Sequence, residues 1–107
     1  MAYPQLFKRL EKFGGKIIRD FKLPLNTAET SISIDLVQEH KAIGLDFMLV
    51  NWGTSTVSVK FDGATAIDIG GGDSFSFSDI EFCRVTIDNS GGNKIVGFIA
   101  GKKLEEF

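Results

Sequence analysis

The strongest constraint in this chain is a change of period. From Ser31 onward, apolar residues recur at every second position in short runs, each broken by turn chemistry. Ile32, Ile34 and Leu36 share one parity. The apolar stretch from Ala42 to Trp52 places Ile43, Leu45, Phe47 and Leu49 on one face and Met48, Val50 and Trp52 on the other. A strand that is apolar on both faces is covered on both sides or lies partly in an interface. Val57, Val59 and Phe61 alternate with Ser58 and Lys60, and Asp62-Gly63 then predicts a hairpin whose turn needs positive φ. Ile67 and Ile69, Phe75 and Phe77, and Cys83, Val85 and Ile87 continue the inward parity, and Lys94 to Ala100 reads as the last strand.

About seven short strands at this spacing predict an all-β fold. No room remains between them for crossover helices, so the sheets are antiparallel. The expectation is an antiparallel sandwich of jelly-roll-like form. It is preceded by a short N-terminal arm, helical or extended. Residues 25–101 form the β-sandwich domain, 1–24 the arm, and 102–107 a charged tail.

The arm differs chemically from the domain. Leu6, Phe7, Leu10 and Phe13 fall on one stripe at helical spacing, with Pro4 suited to a first turn and Gly14-Gly15 to a stop. A helix of about ten residues is marginal unless it docks. Ile17, Ile18 and Phe21 extend the anchors, and Pro24 with Asn26 to Thr30 reads as an extended linker. Residues 1–22 hold six bases against two acids, a net +4, whereas 23–101 hold four against ten, a net −6. A basic arm in front of an acidic body suits an acidic neighbour, another copy of the same body included. Leu6, Phe7, Leu10, Phe13, Ile17 and Phe21, with Lys8, Arg9 and Lys12, are therefore the expected interface. Six bases over 22 residues is a modest density. The simpler alternative is therefore a solvated charged helix face with no partner; nucleic acid ranks below a protein surface, with steep salt dependence of retention as its signature.

Little points to catalysis, and the expectation is a non-enzyme without cofactor or metal. His40 is the one histidine and sits in a polar turn, with no partners for a triad or a metal site advertised. Cys83 is the one cysteine, which excludes an internal disulfide. Its strand parity predicts a buried, inert thiol. Gly70-Gly71-Gly72-Asp73 precedes a strand and lacks the Lys-Ser/Thr of a phosphate loop. Asp62, Asp68 and Asp73 do not match the spacing of a helical calcium loop and are explained by turns. Asp79 and Glu81 form a weak carboxylate pair for glycoside cleavage, with no aromatic cleft beside them. No apolar run is long enough to span a bilayer as a helix, and the first residues do not read as a secretory signal, so no membrane partner is expected. Ten phenylalanines against one Trp and one Tyr favour core over a sugar-binding surface. Trp52, beside the Asn51–Gly53 turn, is the one aromatic placed to act as a ligand platform. Partial burial at the rim of the sandwich is its simpler role.

The segments Phe47 to Gly63 (FMLVNWGTSTVSVKFDG), Ile67 to Phe77 (IDIGGGDSFSF) and Cys83 to Gly92 (CRVTIDNSGG) resemble the hairpin pattern of small virion proteins of bacteriophages, over about residues 43–93. The resemblance implies a structural protein of decoration, spike, fibre-base or connector type. Such a protein is made in the host cytoplasm, located in the virion, and associated with itself and with other virion proteins. It carries over no active-site residue. On this expectation the protein assembles, into an oligomer or onto a capsid, through its arm. The alternative is a carbohydrate-binding sandwich that uses Trp52.

Overall fold

A computed structural model describes residues 19–104. Eight strands form: β1 (Phe21–Thr27), β2 (Ser31–Asp35), β3 (Ala42–Asn51), β4 (Val57–Phe61), β5 (Ile67–Ile69), β6 (Ser74–Phe77), β7 (Arg84–Asp88) and β8 (Ile95–Lys103). One short helix, α1 (Leu36–His40), lies between β2 and β3. The strands make two four-stranded sheets, ordered β1-β8-β3-β6 and β2-β7-β4-β5, and every pairing in them is antiparallel. Successive strands change sheet at every step except β4 to β5. That order is the eight-stranded jelly roll, in agreement with the expected form and one strand above the expected count.

The additional strand is β1, where the arm and linker were expected. Phe21 to Thr27 pair with Gly101 to Ile95 of β8. Pro24 conceals the strand in the sequence, yet it is tolerated because β1 is an edge strand, where a missing N–H costs no ladder bond. Phe21 and Leu25 are buried in the core. The sandwich therefore begins before residue 25, and Phe21 is no arm anchor but part of its own domain. At the other end β8 runs to Lys103, past the expected boundary at 101.

The core lies between the sheets. Phe47, Phe75 and Phe77 from one sheet meet Phe61 from the other, with Phe82 closing the group. Ring centroids are 4.9 Å apart for Phe47–Phe61, 5.0 Å for Phe61–Phe77 and 5.2 Å for Phe61–Phe82, all close to edge-on, the geometry aromatic pairs favour. Val57, Val59, Val85, Ile87, Ile95 and Ile99 fill the rest and are fully covered.

A register shift between Gly44 and Asp46 changes the parity of β3. Phe47 and Leu49 point inward as alternation predicts, but Ala42 and Gly44 take the inner positions before the bulge, and Ile43 and Leu45 are half-buried. An extra residue reverses the faces of everything on one side of it. Gly44 is required here, since a Cβ would lie 2.3 Å from the Phe82 ring. At the Asp62-Gly63 turn both residues have positive φ, 51° and 76°, as the hairpin expectation requires.

Candidate functional site

The outer face of the β1-β8-β3-β6 sheet carries an apolar surface. With Phe47, Leu49, Ile95 and Ile99 turned inward, the opposite parity presents Met48 and Val50 from β3 and Val96 and Phe98 from β8. Register aligns Pro24, Phe98 and Met48 in one row and Asn26, Val96 and Val50 in the next. Met48, Val50, Val96 and Phe98 are half-buried. Lys22 arches over this face, its Nζ 5.6 Å from the centre of the Phe98 ring.

Arg19 is fixed at one end of the same face. Its Nε donates to Asp46 Oδ2 at 2.7 Å and its Nη2 to Asp46 Oδ1 at 3.1 Å, and it also pairs with Asp79. Asp46 stands on the outer parity of β3 opposite Ala100. The Asp46 carboxylate above all, joined by Asp79, holds the guanidinium above its usual pKa against the effect of partial burial. The backbone N–H of Asp79 also donates to Asp46 at 3.2 Å, with Asp79 itself at φ 60°. Arg19 is thus anchored beside the apolar rows, just before β1 begins. Neither Arg19 nor Asp46 stands out in the sequence, apart from a lone acid inside a long apolar run.

The opposite end of the sandwich is built on three buried asparagines, Asn51, Asn89 and Asn93. Asn51 donates to the carbonyls of Ser55 and Ile69 and accepts from Gly53 N–H. Asn93 accepts from Thr54 N–H and Ser55 Oγ, donates to the Ser55 carbonyl, and its own N–H donates to Asn89. Asn89 donates to the carbonyls of Glu29 and Asn93. Three loops are locked together by these bonds, and Trp52 projects from them 66% exposed. It stands at the rim of the sandwich, mostly in solvent.

The remaining expected residues are placed as follows. Leu6, Phe7, Lys8, Arg9, Leu10, Lys12, Phe13 and Ile17 lie outside the described residues. His40 ends α1, its ring 5.4 Å from that of Phe21. Cys83 is exposed, contrary to its expected burial, because β7 begins at Arg84 and Phe82 takes the inward position. Its pKa is nevertheless raised, first by desolvation and then by Asp62, Asp35 and Glu81. Asp62 accepts from the backbone N–H groups of Cys83 and Arg84, and Asp68 from Ser58 Oγ. Gly70 to Asp73 close a turn through Asp73 N–H to the Gly70 carbonyl. Among the described residues no group of three His, Cys, Asp or Glu could hold a metal, and no helix is long and apolar enough to cross a membrane.

No protein-family description matches the chain, and no curated protein matches it. Among solved structures it is similar to the Drosophila NLP core, whose crystal structure is described as giving insight into pentamer formation and histone binding. The TM-score is 0.48 and the identity 15%, over 78% of this chain and 94% of that one. The expectation of a phage virion protein is corrected by this finding, for the similar structure is a eukaryotic histone-binding core. The hairpin pattern behind that expectation is the strand-and-turn alternation that a jelly roll of any function produces.

Proposed function

We propose that the chain is a non-enzymatic module that associates with copies of itself. The outer face of the β1-β8-β3-β6 sheet is the contact surface. The N-terminal segment, with Leu6, Phe7, Leu10, Phe13 and Ile17, reaches from one copy across that face of the next. The observation that carries the reading is Arg19, held by Asp46 and Asp79 beside the rows of Phe98, Met48, Val96 and Val50. Charge favours the same pairing. Residues 1–18 hold four bases against one acid, and the body is acidic; opposite fields orient such contacts and raise their on-rates. A non-catalytic role is supported by the structural work of the reactive side chains: Asp62 accepts from the Cys83 and Arg84 backbone, Asp79 pairs with Arg19, and His40 packs on Phe21.

Sedimentation velocity of the full chain tests the reading, which expects an assembly larger than one copy. Replacing Met48 and Phe98 together by Glu puts two charges into the rows without touching the core. It should return the protein to monomers with an unchanged circular dichroism spectrum. A wild-type monomer at every concentration, or an assembly indifferent to the double substitution, overturns the proposal.

A further inference from the structure

The apolar surface of the β1-β8-β3-β6 sheet does not stop at Val50 and Val96. β3 turns Asp46, Met48 and Val50 outward, and Trp52 is the next residue of that parity. The pairing also runs on past the end of the strand. Trp52 N–H donates to the Lys94 carbonyl at 2.9 Å. On the other side, Asn51 N–H donates to the Asp73 carbonyl at 2.9 Å and Gly72 N–H to the Asn51 carbonyl at 2.8 Å. A third row thus follows those of Met48 and Val50, with Lys94, Trp52 and Gly72 across it. Gly72, at φ 83°, brings no side chain beside the indole. The loops that carry Trp52 are held by the buried Asn51, Asn89 and Asn93. They are packed so closely that a Cβ on Gly53 would lie 1.9 Å from Asn93 Oδ1.

We infer that Trp52 anchors self-association: the contact surface continues onto the Asn51–Gly53 turn, and the indole is buried there against a second copy of the chain. The inference rests on the self-association proposed above. Single exposed apolar residues are ordinary on a protein surface, and continuity sets this one apart. The exposed large hydrophobic side chains among the described residues are Val37, Ile80 and Trp52. Val37 lies on α1 and Ile80 between β6 and β7, outside these rows. Trp52 is the largest and, at 66%, the most exposed. A stable contact covers roughly 800 Å² on each partner, a patch roughly 28 Å across. Trp52 is only about 13 Å along the strand from Met48, so a copy that covers Met48 and Phe98 also reaches the indole. An aromatic side chain carries about 150–250 Å², so Trp52 has on the order of 100–160 Å² left to cover. The half-buried Met48, Val50, Val96 and Phe98 each offer less. The rigid loops and the two rotatable bonds of Trp keep the entropy lost on contact small.

Trp52 is the chain's one tryptophan, so its emission reports on this position alone. Emission, acrylamide quenching and sedimentation velocity are followed on the same samples of the full chain through a dilution series. As copies associate, the emission should move to shorter wavelength and the quenching constant should fall severalfold. Trp52→Ala should raise the midpoint concentration of association about thirty- to a hundredfold, the range of an interface hot spot. Trp52→Phe should stay within about tenfold of the wild type, and both should keep the wild-type circular dichroism spectrum. Association with the Trp52 emission unmoved, or with the Trp52→Ala midpoint unchanged, overturns the inference while the sheet-face contact stands. An indole already shielded in the single copy overturns it as well. A wild type that never associates overturns both this inference and the reading it rests on.

Discussion

Asn93 shows how much one side chain can hold. Its oxygen gathers donors from the Thr54–Ser55 loop, and its amide returns bonds to Ser55. Its cost when removed comes from the partners left buried and unpaired. Asn93→Ala should therefore destabilise the fold by about 2–3 kcal/mol in urea denaturation. Trp52, on the same loops, is mostly in solvent. Trp52→Ala should shift stability by less than about 0.5 kcal/mol. Asp35 is the residue to watch in acid. Chiefly the Gln38 N–H, with Arg84 adding a weaker pull, holds its carboxyl below the usual 3.8. Its contribution is thus complete above that value and is lost as pH falls through the lower folded value. The Tm difference between the wild type and Asp35→Ala should be largest near neutral pH and close on acidification. Turn-forming asparagines are readable from residue type. Their complete burial is not, because it depends on which loops the topology brings to one end.

Among the elements, the β4–β5 hairpin was legible because local chemistry decides it: alternating valines and isoleucines around Asp62-Gly63. β1 was not, since its only partner is β8, some seventy residues away in the chain, and its proline argues locally against a strand. The β3 bulge was also hidden. Alternation assumes one residue per step, and nothing in Gly44 to Asp46 announces two. Gly44→Ala should cost about 1–3 kcal/mol, as the Phe82 ring must give way. Arg19→Ala leaves Asp46 and Asp79 facing one another in a partly covered site. It should lower stability by about 1–3 kcal/mol, less than a fully buried pair because water screens it, and speed amide exchange at the start of β1.

At the scale of the molecule, fold class was readable from strand spacing, but the order β1-β8-β3-β6 over β2-β7-β4-β5 was not. Period-two alternation fixes which face of a strand is wet and leaves its neighbours open. The apolar character of both faces of β3 was visible in advance. Alternation alone offers cover on both sides or an interface as its cause; one face is core, and the other is the surface proposed to meet further copies.

The pairing of Phe21 with Gly101, and the bond from Lys103 N–H to Asp20, bring the entry and exit of the sandwich to one corner. A short peptide bridge joining residue 104 to residue 19 would thus allow the ring to be reopened at Gly63, where the hairpin tip has clear space around it. Such a circular permutant should melt within a few degrees of the parent sandwich. Two fluorophores attached at residues 20 and 103 would thus report on each other rather than on the body between them.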